Sequence, residues 1–576
     1  MHVFRPVSAA ALLTCVVVTA CGGGDGDGPD ISIKPKPDLP QLAAAKEGTL
    51  RSCHPLLTQF SFGNTSVTTA ELVPAGVLKV AGQDVPEHCM VSGNMFSRTG
   101  ANGSYAIGFE MRMPVAWNGR FYYQANGGSD GNVVTATGGV NGGGGLTNAL
   151  RMGFAVISSD AGHNAAQNAP GLANFGVDPQ ARLDYGYQAV GKITPMAKGL
   201  ISAAYGRGPD RSYIGGCSNG GRHTMVAASR YTNEYDGYLV GNAGFNLPLA
   251  ATANIAGYQT YQSLATTVTD VGTGFTQAER ATVAKAILGK CDALDGATDG
   301  MVQNTAACKT AFDLQRDVAT CTTSRDGSCL TTQQKTGIAG LFSGARTQSG
   351  RKIYASWPYD NGIQTNSWSF WKFTVPGILD SVAVGQIWTS PPQPAGTFNP
   401  VQYASTGNLD QMLTGVNATS GIYSESGMSF MTPPNPSNLS TLKNRGAKMM
   451  VYHGTADPIF SSDDTTAWYD KLATANAGDA SNFARYYQVP GMNHCSGGPA
   501  TDQFDMLTPL VNWVEKGEAP ANIVASARGA GNAAGVNADV PADWAANRSR
   551  PLCAYPQVAS YKGTGSLEAA SSFSCK

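Results

Sequence analysis

Short apolar runs, each closed by a turn rich in glycine or proline, recur along the first half of the chain. Tyr105-Ala-Ile-Gly-Phe-Glu-Met-Arg-Met113 alternates apolar and polar positions and predicts a half-buried strand within a β-rich opening over residues 46–110. Beyond the turn Pro114–Arg120, Phe121–Gln124 predicts a second strand, which runs into Ala125-Asn126-Gly127-Gly128-Ser129-Asp130-Gly131. Phe154–Ser158, Arg211–Gly215 and Tyr238–Ala243 predict further core strands, with a helix over Arg222–Arg230. From about residue 247 the pattern changes: helical stretches such as Thr276–Gly289 mix with aromatic and proline-rich loops up to about 440. Strand and helix patterns return at Ala447–His453, Asp464–Ala473 and Ala484–Val489. Strands alternating with helices predict an α/β fold with one large insertion.

Length supports this division, since 576 residues exceed one ordinary domain. The expected parts are a core of residues 46–246 and 441–576 and a lid of residues 247–440. Charged residues make up 14% of the chain and the net charge is −1, which argues against a nucleic-acid partner. Met1-His2-Val3-Phe4-Arg5 followed by apolar Val7–Val18 is a signal peptide, too short to span a bilayer. It ends in Val18-Thr19-Ala20-Cys21, similar to a bacterial lipobox in which Cys21 is lipidated; cleavage nearby with simple secretion is the alternative. Both readings place the protein outside the cytoplasm, as an outer-membrane lipoprotein or a secreted or periplasmic protein. Residues 1–21 are thus leader and residues 22–45 a disordered tether. Membrane contact is expected only through such an anchor, and a monomer is expected.

Of twelve cysteines, setting aside Cys15 and Cys21 leaves an even number, which in an exported chain reads as a disulfide framework. Pairing nearest neighbours joins Cys53–Cys89, Cys291–Cys308, Cys321–Cys329 and Cys553–Cys575; sequence alone leaves connectivity open, and Cys217 and Cys495 remain.

The candidate chemistry starts at Gly216-Cys217-Ser218-Asn219-Gly220, a G-x-S-x-G turn between a predicted strand and a predicted helix. That context is the nucleophile elbow of an α/β-hydrolase, which exposes one serine hydroxyl at the top of the sheet. Asp457 follows a late strand, and His494 lies in the glycine-rich loop after the last strand, in the chain order Ser…Asp…His. Among seven histidines, His2 lies in the leader and His54 and His88 beside cysteines. His163 lies in an early loop, His223 on the elbow helix in a packed or surface role, and His453 at a strand end as a core group. Asp463 and Asp464 rival Asp457 but read as helix N-caps. The loop after the early strand offers Gly128 as the second oxyanion amide; a plain turn is the alternative. If Ser218 and His494 meet, Cys217 and Cys495 must lie close, and a disulfide between them is expected over two free thiols. In the insertion, Cys291-Asp292-Ala-Leu-Asp295-Gly-Ala297-Thr-Asp299-Gly-Met301 groups three carboxylates, a hard-oxygen set suited to Ca²⁺. Asp292, Asp295 and Asp299 would bind by side chain and Ala297 and Met301 by carbonyl; a solvated acidic turn is the alternative. The loop is no EF-hand, because Gln303 stands at the twelfth position.

Cys217-Ser218, Asp457 and His494-Cys495 together resemble the CS-D-HC motif of the tannase/feruloyl esterase family. The similarity extends through Asp178–Gly186, Ala286–Asp295, Val489–Gly498 and Asp505–Val511, and covers about residue 50 to Cys575. The resemblance implies an α/β-hydrolase core, a calcium-bearing lid inserted between nucleophile and acid, and five disulfides. It also implies a Ser218–Asp457–His494 triad, oxyanion amides at Gly128 and Asn219, Ca²⁺ on Asp292, Asp295, Ala297, Asp299 and Met301, and no organic cofactor. Trp371, Leu379 and Trp388 are expected to face a small aromatic ester. The departure is in the lid: the resemblance implies an Arg for a substrate carboxylate, yet Phe373–Trp388 contains no Arg or Lys. The expected activity is hydrolysis of aromatic esters of benzoate or cinnamate type through a serine acyl-enzyme, with plant phenolic esters as the alternative substrates. The reading from another class, a silent aromatic-ester binder, sits poorly with an intact triad.

Overall fold

The computed structural model describes residues 39–54, 56–139, 146–164 and 173–576. The expected leader, and the expected tether up to residue 38, lie outside the described residues. The last part of that tether is ordered instead: the Gln41 side chain donates to the Val514 carbonyl (2.8 Å) and the Ala45 amide to Glu515 (2.9 Å). These hydrogen bonds dock residues 39–45 on the body, so residues 39–576 form one compact unit.

Nine strands build the central sheet: β1 (Thr65–Val73), β2 (His88–Gly100), β3 (Gly103–Pro114), β4 (Arg120–Gln124), β5 (Ala155–Ser159), β6 (Arg211–Cys217), β7 (Gly237–Gly241), β8 (Lys448–Gly454) and β9 (Ala484–Val489). Their order is β9-β8-β7-β6-β4-β5-β3-β2-β1. The strands from β4 to β9 are parallel, and β1, β2 and β3 add antiparallel hairpins at one edge. The chemistry follows the pattern: β5, β7 and β8 are buried along their whole length, as parallel strands covered on both faces must be, whereas β2 alternates. Helices α1 (Ala189–Tyr205), α2 (Asn219–Arg230), α6 (Ser462–Ala475) and α7 (Leu507–Lys516) cover the sheet; α3 (Leu247–Leu264), α4 (Gln277–Cys291) and α5 (Thr332–Phe342) belong to the insertion.

The predicted strands fall where expected to within about two residues. Helix α6 corrects one detail. Its N-cap is Ser461, whose hydroxyl accepts from the Asp463 amide (3.1 Å), not Asp463 or Asp464. Asp464 accepts from Asn246 (3.0 Å) and Asp463 from Ser356 (2.6 Å), so neither rival reaches His494.

The segment between β7 and β8 is helical, with α3 (Leu247–Leu264), α4 (Gln277–Cys291) and α5 (Thr332–Phe342). Helix α4 starts at a reciprocal cap: Thr276 accepts from the Glu279 amide and Glu279 accepts from the Thr276 amide. Val283, Ile287, Val302, Phe312, Ile338 and Trp368 form an apolar cluster wholly inside this segment. Farther along this segment the backbone winds loosely, with wide turns at Phe370–Thr374, Pro376–Asp380 and Ala383–Trp388.

Five disulfides are formed, Cys53–Cys89, Cys217–Cys495, Cys291–Cys308, Cys321–Cys329 and Cys553–Cys575. Cys217 and Cys495 are 278 positions apart in sequence, so their bond closes by far the longest loop. Replacing both by serine is expected to lower stability by about 5–6 kcal/mol on loop-entropy grounds, read from denaturation of the variant beside the parent.

Candidate active site

Ser218 sits between the end of β6 and the start of α2 with φ 66° and ψ −127°, a strained conformation for a residue with a side chain. The strain is imposed by neighbours. The Ser218 amide donates to the Gly241 carbonyl (3.0 Å), and the Ala125 carbonyl at the end of β4 crosses directly beneath the turn. A Cβ on Gly216 would lie 2.3 Å from that oxygen and one on Gly220 2.2 Å, so both flanking glycines are required by close approach.

Asp457 and His494 come from the loops after β8 and β9. His494 Nδ1 is 2.9 Å from Asp457 Oδ2 and Nε2 is 2.8 Å from Ser218 Oγ. A carboxylate only accepts, so Nδ1 carries the proton and Nε2 is free to accept from the Ser218 hydroxyl. Asp457 is buried and accepts also from Asn242 Nδ2 (2.7 Å) and the amides of Ile459 (2.9 Å) and Phe460 (3.1 Å). Burial would raise its carboxyl, but His494 and His453 beside it hold it well below the usual carboxylate range. His453 is the core group expected: its Nε2 donates to the Phe460 carbonyl (3.0 Å) and its Nδ1 accepts from Thr465 (2.8 Å). Trp371 and Phe460 stand edge-on to the His494 ring at 5.1 and 5.3 Å between centroids and fix its plane.

Three groups of this site carried no signal in the sequence. Asn242 steadies Asp457 from the end of β7. Asp360 of the insertion accepts from the Thr455 hydroxyl (2.6 Å) and the Gly491 amide (3.1 Å), tying the insertion to the loops that carry Asp457 and His494. Asp130 joins the glycine-rich loop to the elbow helix: its Oδ2 accepts from Asn219 Nδ2 (2.7 Å) and His223 Nε2 (2.8 Å). His223 is thus packed, not exposed. Burial and the adjacent Arg222 lower its pKa, with Asp130 pulling the other way. Arg222, fully buried, donates to Asn219 Oδ1 (2.7 Å) and to the Gly186 carbonyl (2.7 Å). The network holds Gly128 and Asn219 beside Ser218, and all three border one cavity of about 470 Å³.

Trp371, Leu379 and Trp388 line the same cavity, with Tyr185, Leu247, Ile459 and Phe460. It is mostly apolar and of ligand size. No Lys or Arg lines it among the described residues. Lys372, next to Trp371, turns away, with Nζ 3.6 Å from the centre of the Trp357 ring and donating to Asn254 Oδ1 (3.2 Å). Burial lowers its pKa to about 7, against the pull of Asp457 and Asp380.

The acidic loop lies apart, between α4 and the C-terminal strands. Asp292 accepts from the amides of Asp299 (2.9 Å) and Gly300 (2.9 Å), Asp295 Oδ1 from the Ala297 amide (3.1 Å), and Asp299 Oδ2 from buried Arg550. Among the described residues no three His, Cys, Asp or Glu side chains converge as a metal cluster. Two buried carboxylate oxygens, Asp295 Oδ2 and Asp299 Oδ1, nevertheless have no partner. Burial pushes Asp295 up to about 7; the Ala297 amide opposes it, and the Asp299 and Asp292 charges add to it. Orphaned oxygens and mutually repelling carboxylates fit a hard cation.

A mixed sheet with a parallel half, a strained serine at a strand-to-helix turn and a Ser–His–Asp hydrogen-bonded line define an α/β-hydrolase-like protein. The chain matches the model of the family described as tannase and feruloyl esterase over residues 89–576. It is 38% identical over 551 residues to mono(2-hydroxyethyl) terephthalate hydrolase of Piscinibacter sakaiensis, covering 89% of this chain and 88% of that one. Feruloyl esterase C of Talaromyces stipitatus is 25% identical over 572 residues, 92% of this chain and 96% of its own. The crystal structure of feruloyl esterase B from Aspergillus oryzae shares the fold, with a TM-score of 0.71 at 23% identity over 91% of this chain and 99% of that one. The chain therefore belongs to the tannase and feruloyl esterase family and is a carboxylic ester hydrolase.

Asp130→Ala is expected to lower kcat on an ester roughly 10- to 100-fold, the scale of a misplaced oxyanion donor, with a smaller change in KM. Steady-state kinetics beside a melting curve separate this from unfolding.

Proposed function

We propose that the protein is an exported serine hydrolase of small aromatic esters, working through an acyl-enzyme. The observation that carries this is the Ser218 hydroxyl, 2.8 Å from His494 Nε2, opening on a cavity walled by Trp371, Leu379 and Trp388. In this reading His494 takes the Ser218 proton as Oγ attacks the ester carbonyl, and the amides of Gly128 and Asn219 hold the oxyanion. His494 then protonates the leaving alcohol, and water activated by His494 releases the acid. Asp457 orients the imidazole and stabilises its charged form. Residues 247–440 act as the lid over a core of residues 46–246 and 441–576, with a monomer sufficient for the site.

Relatives include enzymes named for terephthalate and for feruloyl esters. The cavity's lack of Lys or Arg favours uncharged aromatic esters over a terephthalate monoester, because a buried carboxylate without a cation is costly. A fluorophosphonate is expected to label Ser218, and Ser218→Ala to abolish labelling and lower hydrolysis of methyl benzoate by at least about 10⁴-fold. An unlabelled protein that binds the ester without cleaving it would instead be the silent binder.

Ca²⁺ completes the reading of the acidic loop, held by Asp292, Asp295, Ala297, Asp299 and Met301. Asp292 retains lone pairs beyond those its two amides use. These residues would hold the ion, and its charge would neutralise the carboxylates of a loop already tied by the Cys291–Cys308 bond and by Arg550. Asp295, raised to about 7 from an unfolded value near 4, binds more protons folded than unfolded, so its contribution to stability falls as pH rises through that interval. Metal-free protein is therefore expected to lose melting temperature between about pH 5 and 7.5, and added Ca²⁺ to raise it more at pH 7.5 than at pH 5. A melting temperature indifferent to chelator and Ca²⁺ at both pH values would exclude the metal.

A further inference from the structure

The insertion reaches His494 by a second route besides the Trp371 ring. Asn493, the residue before His494, is fully buried, and its side-chain amide joins the insertion to the loop that carries Asp457. Its Oδ1 accepts from the Thr365 hydroxyl of the insertion (2.7 Å). Its Nδ2 donates to the Ala456 carbonyl (3.1 Å), next to Asp457, and to the Gly362 carbonyl of the insertion (3.4 Å). With two carbonyls on one side and a hydroxyl on the other, the network fixes which way this amide points. The Asn493 backbone carbonyl accepts from Asn242 Nδ2 (3.4 Å), the same group that donates to Asp457.

Thr365 is itself held by the core of the insertion. Its hydroxyl accepts from the Trp368 amide (3.1 Å) at the start of the helical turn Asn366–Ser369, and the Trp368 ring packs in the insertion's apolar cluster. A hydroxyl has one proton to give. Of the two acceptors within reach, the Gly362 carbonyl (3.0 Å) already takes the Thr365 amide, and Asn493 Oδ1 is nearer. Without that hydroxyl, Asn493 Oδ1 would be buried and unpaired, which is costly. The contact is also close: a Cβ on Gly362 would lie 2.4 Å from the Ala456 Cβ. Neither Asn493 nor Thr365 lines the substrate cavity, so any influence they have on the reaction passes through His494 and Asp457.

We propose that Asn493, held by Thr365, is a positioning residue that sets the place of His494 between Asp457 and Ser218. The insertion is then part of the geometry of the reaction and not only a wall of the cavity. The proposal rests on the serine-hydrolase reading above, in which His494 carries the proton. A displacement of the order of 1 Å at such a group costs up to about a hundredfold in rate.

The test uses Thr365→Val, which keeps the shape and removes the hydroxyl, and Thr365→Ser, which keeps the hydroxyl. Working sites in each preparation are counted by titration with a fluorophosphonate. The kcat per titratable site and KM are then measured on methyl benzoate and on 4-nitrophenyl acetate, whose acyl group is too small to need the aromatic wall. Thr365→Val is expected to lower kcat per site about 5- to 20-fold on both esters, with KM changed by less than about twofold. Thr365→Ser is expected to keep at least about half of the wild-type kcat. Gly362→Ala, whose methyl group pushes against Ala456, tests the same contact from its other side and should also lower kcat per site. Fewer titratable sites and a lower melting temperature with kcat per site unchanged in both Thr365→Val and Gly362→Ala would mean a purely structural role and overturn the proposal. A loss confined to KM, or seen with methyl benzoate alone, would place the effect in the cavity wall and overturn it too. A wild type that the fluorophosphonate does not label and that cleaves neither ester overturns the serine-hydrolase reading and the proposal with it. A labelled wild type whose kcat is indifferent to Thr365→Val and Gly362→Ala overturns the proposal alone.

Discussion

The crossing of the Ala125 carbonyl beneath the elbow is the contact on which the site depends. It leaves no room for a side chain at Gly216 or Gly220, and between them the backbone must turn through a conformation that only tertiary packing can hold at Ser218. The same crossing sends the chain straight from β4 into the glycine-rich loop. The strand that strains Ser218 therefore also delivers the loop that borders it. Strain and pre-organisation here have one cause, the parallel register of β4, β6 and β7.

Around that turn polar side chains pair with one another and with the backbone. Asp457 takes four hydrogen bonds, Asp130 links loop to helix, and Arg222 reaches the Tyr185–Gly186 backbone. Buried networks of this kind are costly to break and rigid when complete. The Cys217–Cys495 bond adds a covalent tie between the residue before Ser218 and the residue after His494. The positions of Ser218 and His494 are thus over-determined by the fold.

The insertion takes part in the same constraint. Trp371 meets the His494 ring, and Asp360 holds the loops that carry Asp457 and His494. Its face toward the cavity carries Trp371, Leu379 and Trp388 with the buried Asp380, and no Lys or Arg among the described residues. The sheet and its loops thus supply Ser218, Asp457 and His494, and the inserted turns supply the aromatic wall.

The sequence by itself determined the α/β class, the positions of the strands, the tight turn at Ser218 and the order Ser218…Asp457…His494, and it suggested the cysteine pairs without deciding their connectivity. Each of these is a local pattern: alternation, a tight turn that needs glycine, a residue at a strand end, or a pair bound to be near once the triad is assumed. The tertiary structure alone decided that residues 39–45 dock, that Ser461 and not Asp463 or Asp464 caps its helix, and that His223 is buried against Asp130. It alone placed Asn242, Asp360 and Asp380 at the site. Those residues come from distant segments and act through hydrogen bonds or burial that no spacing along the chain encodes. The acidic loop stands between the two cases: its composition points to a cation, and only the fold leaves Asp295 Oδ2 and Asp299 Oδ1 without partners while giving Asp299 to Arg550. A short-range pattern survives reading in one dimension, whereas a carboxylate's partner is settled only when the chain has brought its ends together.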